Sequence, residues 1–219
     1  MMISRKEYRT DLHVHSCYSH DGVMEPREII ELARKSGLTG VAVTDHDTIA
    51  GGEHASRLSP PDISVIIGAE IMTDKGEVIG LFLREEIRSR RLMDVIAEIR
   101  SQDGLVIVPH PFDALRSSAF PITDDLAPAV DAIEGLNARC ILGRYNRQAV
   151  NFATRHGLAV VGGSDAHYPG EVGAAGVITD SPDIRQAILD RRVTLFGNRT
   201  SLFNHARTKV RKLYRATRE

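Results

Sequence analysis

Short apolar runs rich in β-branched residues alternate with amphipathic stretches along most of the chain. The runs at residues 11–14, 38–44, 63–68, 77–82, 105–108, 132–136, 158–162 and 172–178 predict strands, and the stretches at 26–35, 90–101, 144–156 and 182–191 predict helices. Gly37, Gly104 and Gly157 each follow an amphipathic run and precede an apolar one, which suits a left-handed residue that closes a helix just before a strand. Such alternation predicts an α/β fold with a parallel sheet. No internal repeat, low-complexity tract or Pro/Gly/Ser-rich linker interrupts it, so residues 1–197 are expected to fold as one domain. From residue 198 the character changes. Phe203, Ala206, Val210 and Leu213 recur at helical spacing among Arg207, Lys209, Arg211, Lys212, Arg215 and Arg218, predicting a basic C-terminal helix over 198–219, packed by one face with its charges solvated.

The polar residues carry a second pattern. In Asp11-Leu12-His13-Val14-His15 the two imidazoles are two residues apart, which in an extended segment points both to one side. The next predicted strand runs into Asp45-His46-Asp47, and later ones lead to Glu70, to His110-Pro111, to Glu134 and to Asp165-Ala166-His167. In a closed parallel barrel the strand C-termini gather on one face, so these groups would converge there. Imidazoles and carboxylates without clustered thiolates suit Zn, Mn or Fe(II) better than an all-oxygen Mg or Ca cage. The number of carboxylates points to more than one ion, because a carboxylate can bridge two.

Composition narrows the partners. A formal net charge of -1 gives no bulk attraction to nucleic acid or membrane, and an aromatic content of 5% without Trp offers few platforms for stacking bases. Two cysteines, Cys17 and Cys140, are too few for a disulfide scaffold and fit a reducing compartment. With a polar start and no run of membrane-spanning length, the protein is expected to be soluble and cytoplasmic.

In order along the chain, Asp11-Leu12-His13-Val14-His15-Ser16, Thr44-Asp45-His46-Asp47, Gly68-Ala69-Glu70, Pro109-His110-Pro111 and Gly163-Ser164-Asp165-Ala166-His167 resemble the motifs of the PHP (polymerase and histidinol phosphatase) superfamily, over roughly residues 9–195. The resemblance implies a distorted (β/α)7 TIM-like barrel with two or three divalent ions (Zn, Mn or Fe) at the strand C-termini. It implies that His13, His15, Glu70 and Asp165 hold a first ion, that Glu70 bridges to a second ion bound by His110, and that Asp21, His46 and His167 form a third site. Many relatives supply a further ligand between His110 and Asp165. Here the nearest candidates are Glu134, Asn137 and Cys140, of which Glu134 is expected. His20, between Ser19 and Asp21, is a further departure from the usual pattern.

The activity implied is that of a metal-dependent phosphoesterase, with Glu70, His110, Asp165 and His167 in catalytic roles. Arg116 and Arg139, just beyond two predicted strand ends, are candidates for holding the substrate phosphate through planar guanidinium contacts. The expected substrate is a small-molecule phosphate ester of the nucleotide or sugar phosphate class. The alternatives are an exonuclease acting on RNA or DNA ends and a non-catalytic metal-binding module. His54, His156 and His205 have no motif context, and Cys17 reads as a small buried residue rather than a nucleophile.

Overall fold

The computed structural model describes residues 7–198. The predicted C-terminal helix falls outside them. Among the described residues, nine strands form one sheet: β1 (Tyr8–Val14), β2 (Gly40–His46), β3 (Ser64–Thr73), β4 (Gly76–Leu81), β5 (Leu105–Val108), β6 (Ala132–Asn137), β7 (Ala159–Gly163), β8 (Ala175–Thr179) and β9 (Thr194–Gly197). Five α-helices accompany them: α1 (Pro26–Lys35), α2 (Ala50–Leu58), α3 (Leu92–Ser101), α4 (Gly143–His156) and α5 (Ile184–Leu189). The strand order is β7-β6-β5-β4-β3-β2-β1-β8-β9. The sheet curls so that the segment after β7 meets the end of β1: a parallel bridge joins Val14 to Ala166, and the His15 amide donates to the Ala166 carbonyl at 2.8 Å. The result is a nearly closed, distorted barrel.

The expected parallel sheet is only half right. β1–β2–β3 and β5–β6–β7 are parallel, but β4 runs against both β3 and β5, and β8 against both β1 and β9. The reversal at β4 is local in origin. Thr73 pairs with Gly76 across the two residues Asp74 and Lys75, and a hairpin that short can only join antiparallel strands. Gly76 lies at φ +124°, a conformation open to glycine, and the Thr73 hydroxyl donates to its carbonyl at 2.6 Å.

Helix α2 has no counterpart among the predicted helices. Gly51 and Gly52 lower its helix propensity, yet a Cβ at Gly51 would run into the Asp45 carboxylate and the Ser16 hydroxyl. Glycine lets α2 close over the end of β2 at that point.

The barrel interior is layered. Leu12, Ala42, Ile66, Leu81, Leu105 and Ala132 share one buried apolar cluster. On the same inward faces, at the two-residue period of a strand, stand His46 above Ala42, Glu70 above Ile66 and Glu134 above Ala132. In β1 the register shifts between Asp11 and Val14. That irregularity brings His13 and His15 inward after Leu12, while Val14 packs with α1 residues Ile29, Ile30 and Ala33. Since β4 is reversed, its first inward residue, Glu77, joins the polar layer above Ile79 and Leu81.

Candidate metal centre

The polar layer is almost wholly removed from solvent. His13, His15 and Asp21 are 0% exposed, Asp165 1%, and Glu70, His110 and Glu134 2% each. So many ionisable groups are tolerated in an interior only when paired with opposite charge or ligating a metal.

His13 Nε2 and His15 Nε2 are 3.0 Å apart. Glu70 Oε2 lies 3.5 Å from the first and 3.4 Å from the second, and Asp165 Oδ1 lies 3.8 Å and 3.6 Å from them. The outer nitrogens of both rings are engaged. His13 Nδ1 donates to Glu134 Oε1 at 3.0 Å. The Ser19 hydroxyl donates to Asp45 and accepts the His46 amide at 2.9 Å, so it receives the His15 Nδ1 proton at 3.0 Å. Each neutral ring therefore turns a lone pair on Nε2 toward the other, and two carboxylate oxygens face the same point. Four acceptors converging in a dry interior repel one another unless a cation lies among them. Their spacing suits one: ligands at ~2.1 Å around a tetrahedral ion are ~3.4 Å apart.

Glu70 reaches further with its second oxygen. Its Oε1 is 3.1 Å from His110 Nε2, while Glu77 Oε2 is 3.6 Å from that nitrogen. His46 Nδ1 lies 3.3 Å from Glu70 Oε2 and 3.8 Å from Glu77 Oε1. A third grouping joins His15, Asp21, His46 and His167. Asp21 Oδ2 is 3.0 Å from His167 Nε2 and 3.5 Å from His46 Nε2. His167 Nδ1 donates to the Asp165 carbonyl at 2.8 Å, so in the neutral ring it is again a lone pair that meets a carboxylate.

Electrostatics record the same excess of acceptors. Burial opposes charge on His13, yet Asp165, Glu134 and Glu70 raise its pKa well above the ordinary value. His46 is likewise penalised by burial but raised to about 9 by Asp21, Glu70 and Glu77. His15 moves down, through burial and the neighbouring His167 and His46. Burial disfavours the charged forms of Glu70 and Asp165, but His13 and His110 hold Glu70 well below the usual carboxylate range, and Arg116 and His13 do so for Asp165. Without metal, protons stand where divalent ions fit.

Eight of the nine residues expected as ligands, His13, His15, Asp21, His46, Glu70, His110, Asp165 and His167, fall into these groupings. Glu134 does not. Its Oε1 accepts from His13, and its Oε2 accepts from the His110 amide and from Asn137 Nδ2, both at 2.9 Å. It orients the His13 imidazole from behind and anchors the His110 backbone. Asn137 and Cys140 are no better placed. Asn137 Nδ2 donates to Glu134 and Asp165, its Oδ1 accepts the Arg139 amide, and burial drives the Cys140 thiol upward. Glu77 supplies the extra carboxylate instead. Its only signal in the sequence is an acid directly after the Asp74-Lys75-Gly76 turn, which reaches the strand-end face once β4 is recognised as antiparallel.

The two arginines part company. Arg116 bonds Asp165 Oδ2 at 2.6 Å and Asp113 Oδ2 at 3.3 Å, and its side chain keeps 23% of its surface exposed beside the centre. Arg139 is 4% exposed and gives both contacts at 3.0 Å to Glu171, which also accepts the His167 and Tyr168 amides. The expected phosphate-binding role of Arg139 is replaced by this ion pair, which fixes the loop carrying His167. Cys17 is pushed up to about 11 by burial and Glu25, which suppresses thiolate. Outside the centre, His54 meets Tyr18, and His156 meets Asp124. His205 lies outside the described residues.

The PHP domain model matches residues 11–158, and a PHP-associated model matches residues 143–193. The chain belongs to the PHP family. The Methanocaldococcus jannaschii protein MJ1587 is 39% identical over 155 residues, covering 65% of this chain and 90% of that protein. MJ0417 of the same organism is 33% identical over 173 residues, covering 76% of this chain and 68% of its own. A Bacteroides vulgatus crystal structure of a two-domain protein containing a predicted PHP-like metal-dependent phosphoesterase superimposes with a TM-score of 0.75, at 20% identity, over 88% of this chain and 65% of that one. At that identity the likeness is one of fold. Among the described residues, no helix is long and apolar enough to cross a membrane.

Proposed function

We propose that this protein hydrolyses phosphate esters of small molecules, using two or three divalent ions held by the buried centre. The observation that carries the reading is Glu70, whose Oε2 faces His13 and His15 while its Oε1 faces His110. One carboxylate directed at two imidazole groups is what a bridged pair of ions requires. His13, His15, Glu70 and Asp165 would hold the first ion, and Glu70, His110 and Glu77 the second. Asp21, His46 and His167 would hold a third, with His15 beside them. When bound, such ions supply an acidified water and neutralise phosphate oxygens.

The protein's own groups do the positioning. Glu134 and Ser19 fix the tautomers of His13 and His15, so that unprotonated nitrogens face inward. Arg116 anchors the outer oxygen of Asp165 and presents the rest of its guanidinium to an incoming phosphate. Arg139 and Glu171 set the loop that carries His167.

The test is to strip the purified chain with chelator, reload it with Mn, Zn or Fe, and assay it against phosphomonoesters, cyclic and linear phosphodiesters and short oligonucleotides. Metal-dependent turnover of small esters, absent in His15→Ala, is expected. No turnover of any ester with any ion would overturn the reading, and activity confined to oligonucleotides would replace it with a nuclease.

A further inference from the structure

A cleft of about 670 Å³ opens beside the centre, between the segment after β5 and the first turns of α4. Its walls include Pro111, Phe112, Arg116, Arg144, Tyr145 and Gln148. The volume is that of a pocket for a small organic ligand. We propose that it receives the nucleobase of a nucleoside phosphate whose phosphate is held at the metal centre. This inference rests on the phosphoesterase reading and names its substrate class.

Continuity with the centre is the first argument. Phe112 follows the candidate ligand His110 by two residues. Arg116 lines the cleft and at the same time bonds Asp165 Oδ2 at 2.6 Å, so one side chain links the cleft to the centre. A phosphate at the ions would therefore direct its organic substituent along Arg116 into the cleft.

The chemistry of the walls is the second. Phe112, Pro111 and Tyr145 offer flat apolar surface, and the Arg144 guanidinium lies 5.0 Å from the Tyr145 ring centre while bonding its hydroxyl at 3.2 Å. Tyr145 is buried beneath this guanidinium, whose outer side can stack on a planar π-system. Gln148, one turn further along α4, brings an amide with both donor and acceptor, the pair that the edge of a heterocyclic base can use. A bare sugar phosphate would leave the flat apolar part of the walls, Pro111 and Phe112, facing water or hydroxyls.

The experiment measures binding of the non-hydrolysable methylene-phosphonate analogues of adenosine 5′-monophosphate and of ribose 5-phosphate to the full chain loaded with Mn. It is run on wild type and on Ala114→Trp, which places a bulky group in the cleft from an exposed position, with thermal unfolding as the check on folding. The wild type is expected to favour the adenosine analogue by about tenfold or more, about 1.4 kcal/mol, and Ala114→Trp to abolish that preference. Gln148→Ala should reduce it in part. Equal binding of the two analogues to wild type, or a preference untouched by Ala114→Trp, would overturn the proposal. Turnover of the parent esters separates the two readings. Equal hydrolysis and equal binding of both would remove the base site and leave the phosphoesterase standing. An adenosine preference without hydrolysis would keep the cleft and remove the phosphoesterase.

Discussion

The two sides of the centre are built differently. On the His13/His15 side, each imidazole has its far nitrogen engaged, by Glu134 and by Ser19, and Asp165 is held by Arg116 and Asn137. On the His110/Glu77 side, His110 Nδ1 is buried with no hydrogen-bond partner among the described residues, and its backbone sits at φ 30°. Glu77 is pushed upward by burial and by the neighbouring Glu70 carboxylate. The first side is preorganised for an ion; the second is completed by one. Partners behind a ligand set ring orientation and metal affinity, so the inner ion should be held tightly and the outer one, joined to it through Glu70, should exchange more readily.

Glu70→Ala should break the comparison altogether, since both sides lose an oxygen. The loss of several kcal/mol of transition-state stabilisation corresponds to about 10³-fold or more in kcat. Near-normal turnover would remove Glu70 from the bridge. Glu134→Ala should weaken the inner ion selectively, by about 10–100-fold in a chelator competition, because His13 loses its orienting acceptor. A full-affinity inner ion in that variant would return Glu134 to a bystander.

Glu77→Gln should weaken only the outer ion, by about tenfold, the scale on which one carboxylate contact of about 1.4 kcal/mol is read. Equal weakening of both ions would erase the distinction between the sides. The smallest effect is that of pH. His46, raised from 6.5 to about 9, holds a proton in the metal-free protein that a bound ion must displace. Metal affinity should therefore rise from pH 8 to pH 9, by about fivefold for this proton alone, measured by calorimetry with proton release. The metal-free fold responds with the opposite sign. Its stabilisation by protonated His46 is complete below about 6.5 and is lost as pH rises through about 9.

Much of this was legible in the sequence because the strand-end groups repeat one local pattern. The paired imidazoles at the end of β1, the Asp45-His46-Asp47 run at the end of β2 and the Asp165-Ala166-His167 run after β7 each announce themselves within a few residues. What escaped depends on contacts between distant residues. Glu134 lies at a strand end like a ligand, but Asn137 and the His110 amide claim its second oxygen, and only the fold brings His110 there. Arg139 looks like a phosphate contact until Glu171 is placed opposite it. Glu77 was hidden by the assumption of an all-parallel sheet, under which the start of a strand points away from the centre. The tight Asp74-Lys75 hairpin was the correction available in the sequence.

Whether Glu70 joins two ions can be counted. Elemental analysis of the chain, stripped and refilled with Mn or Zn, should give at least two ions per wild-type molecule and at least one fewer in folded Glu70→Ala. A wild-type protein that takes up none, or the same number of ions with and without Glu70, would remove the bridged pair.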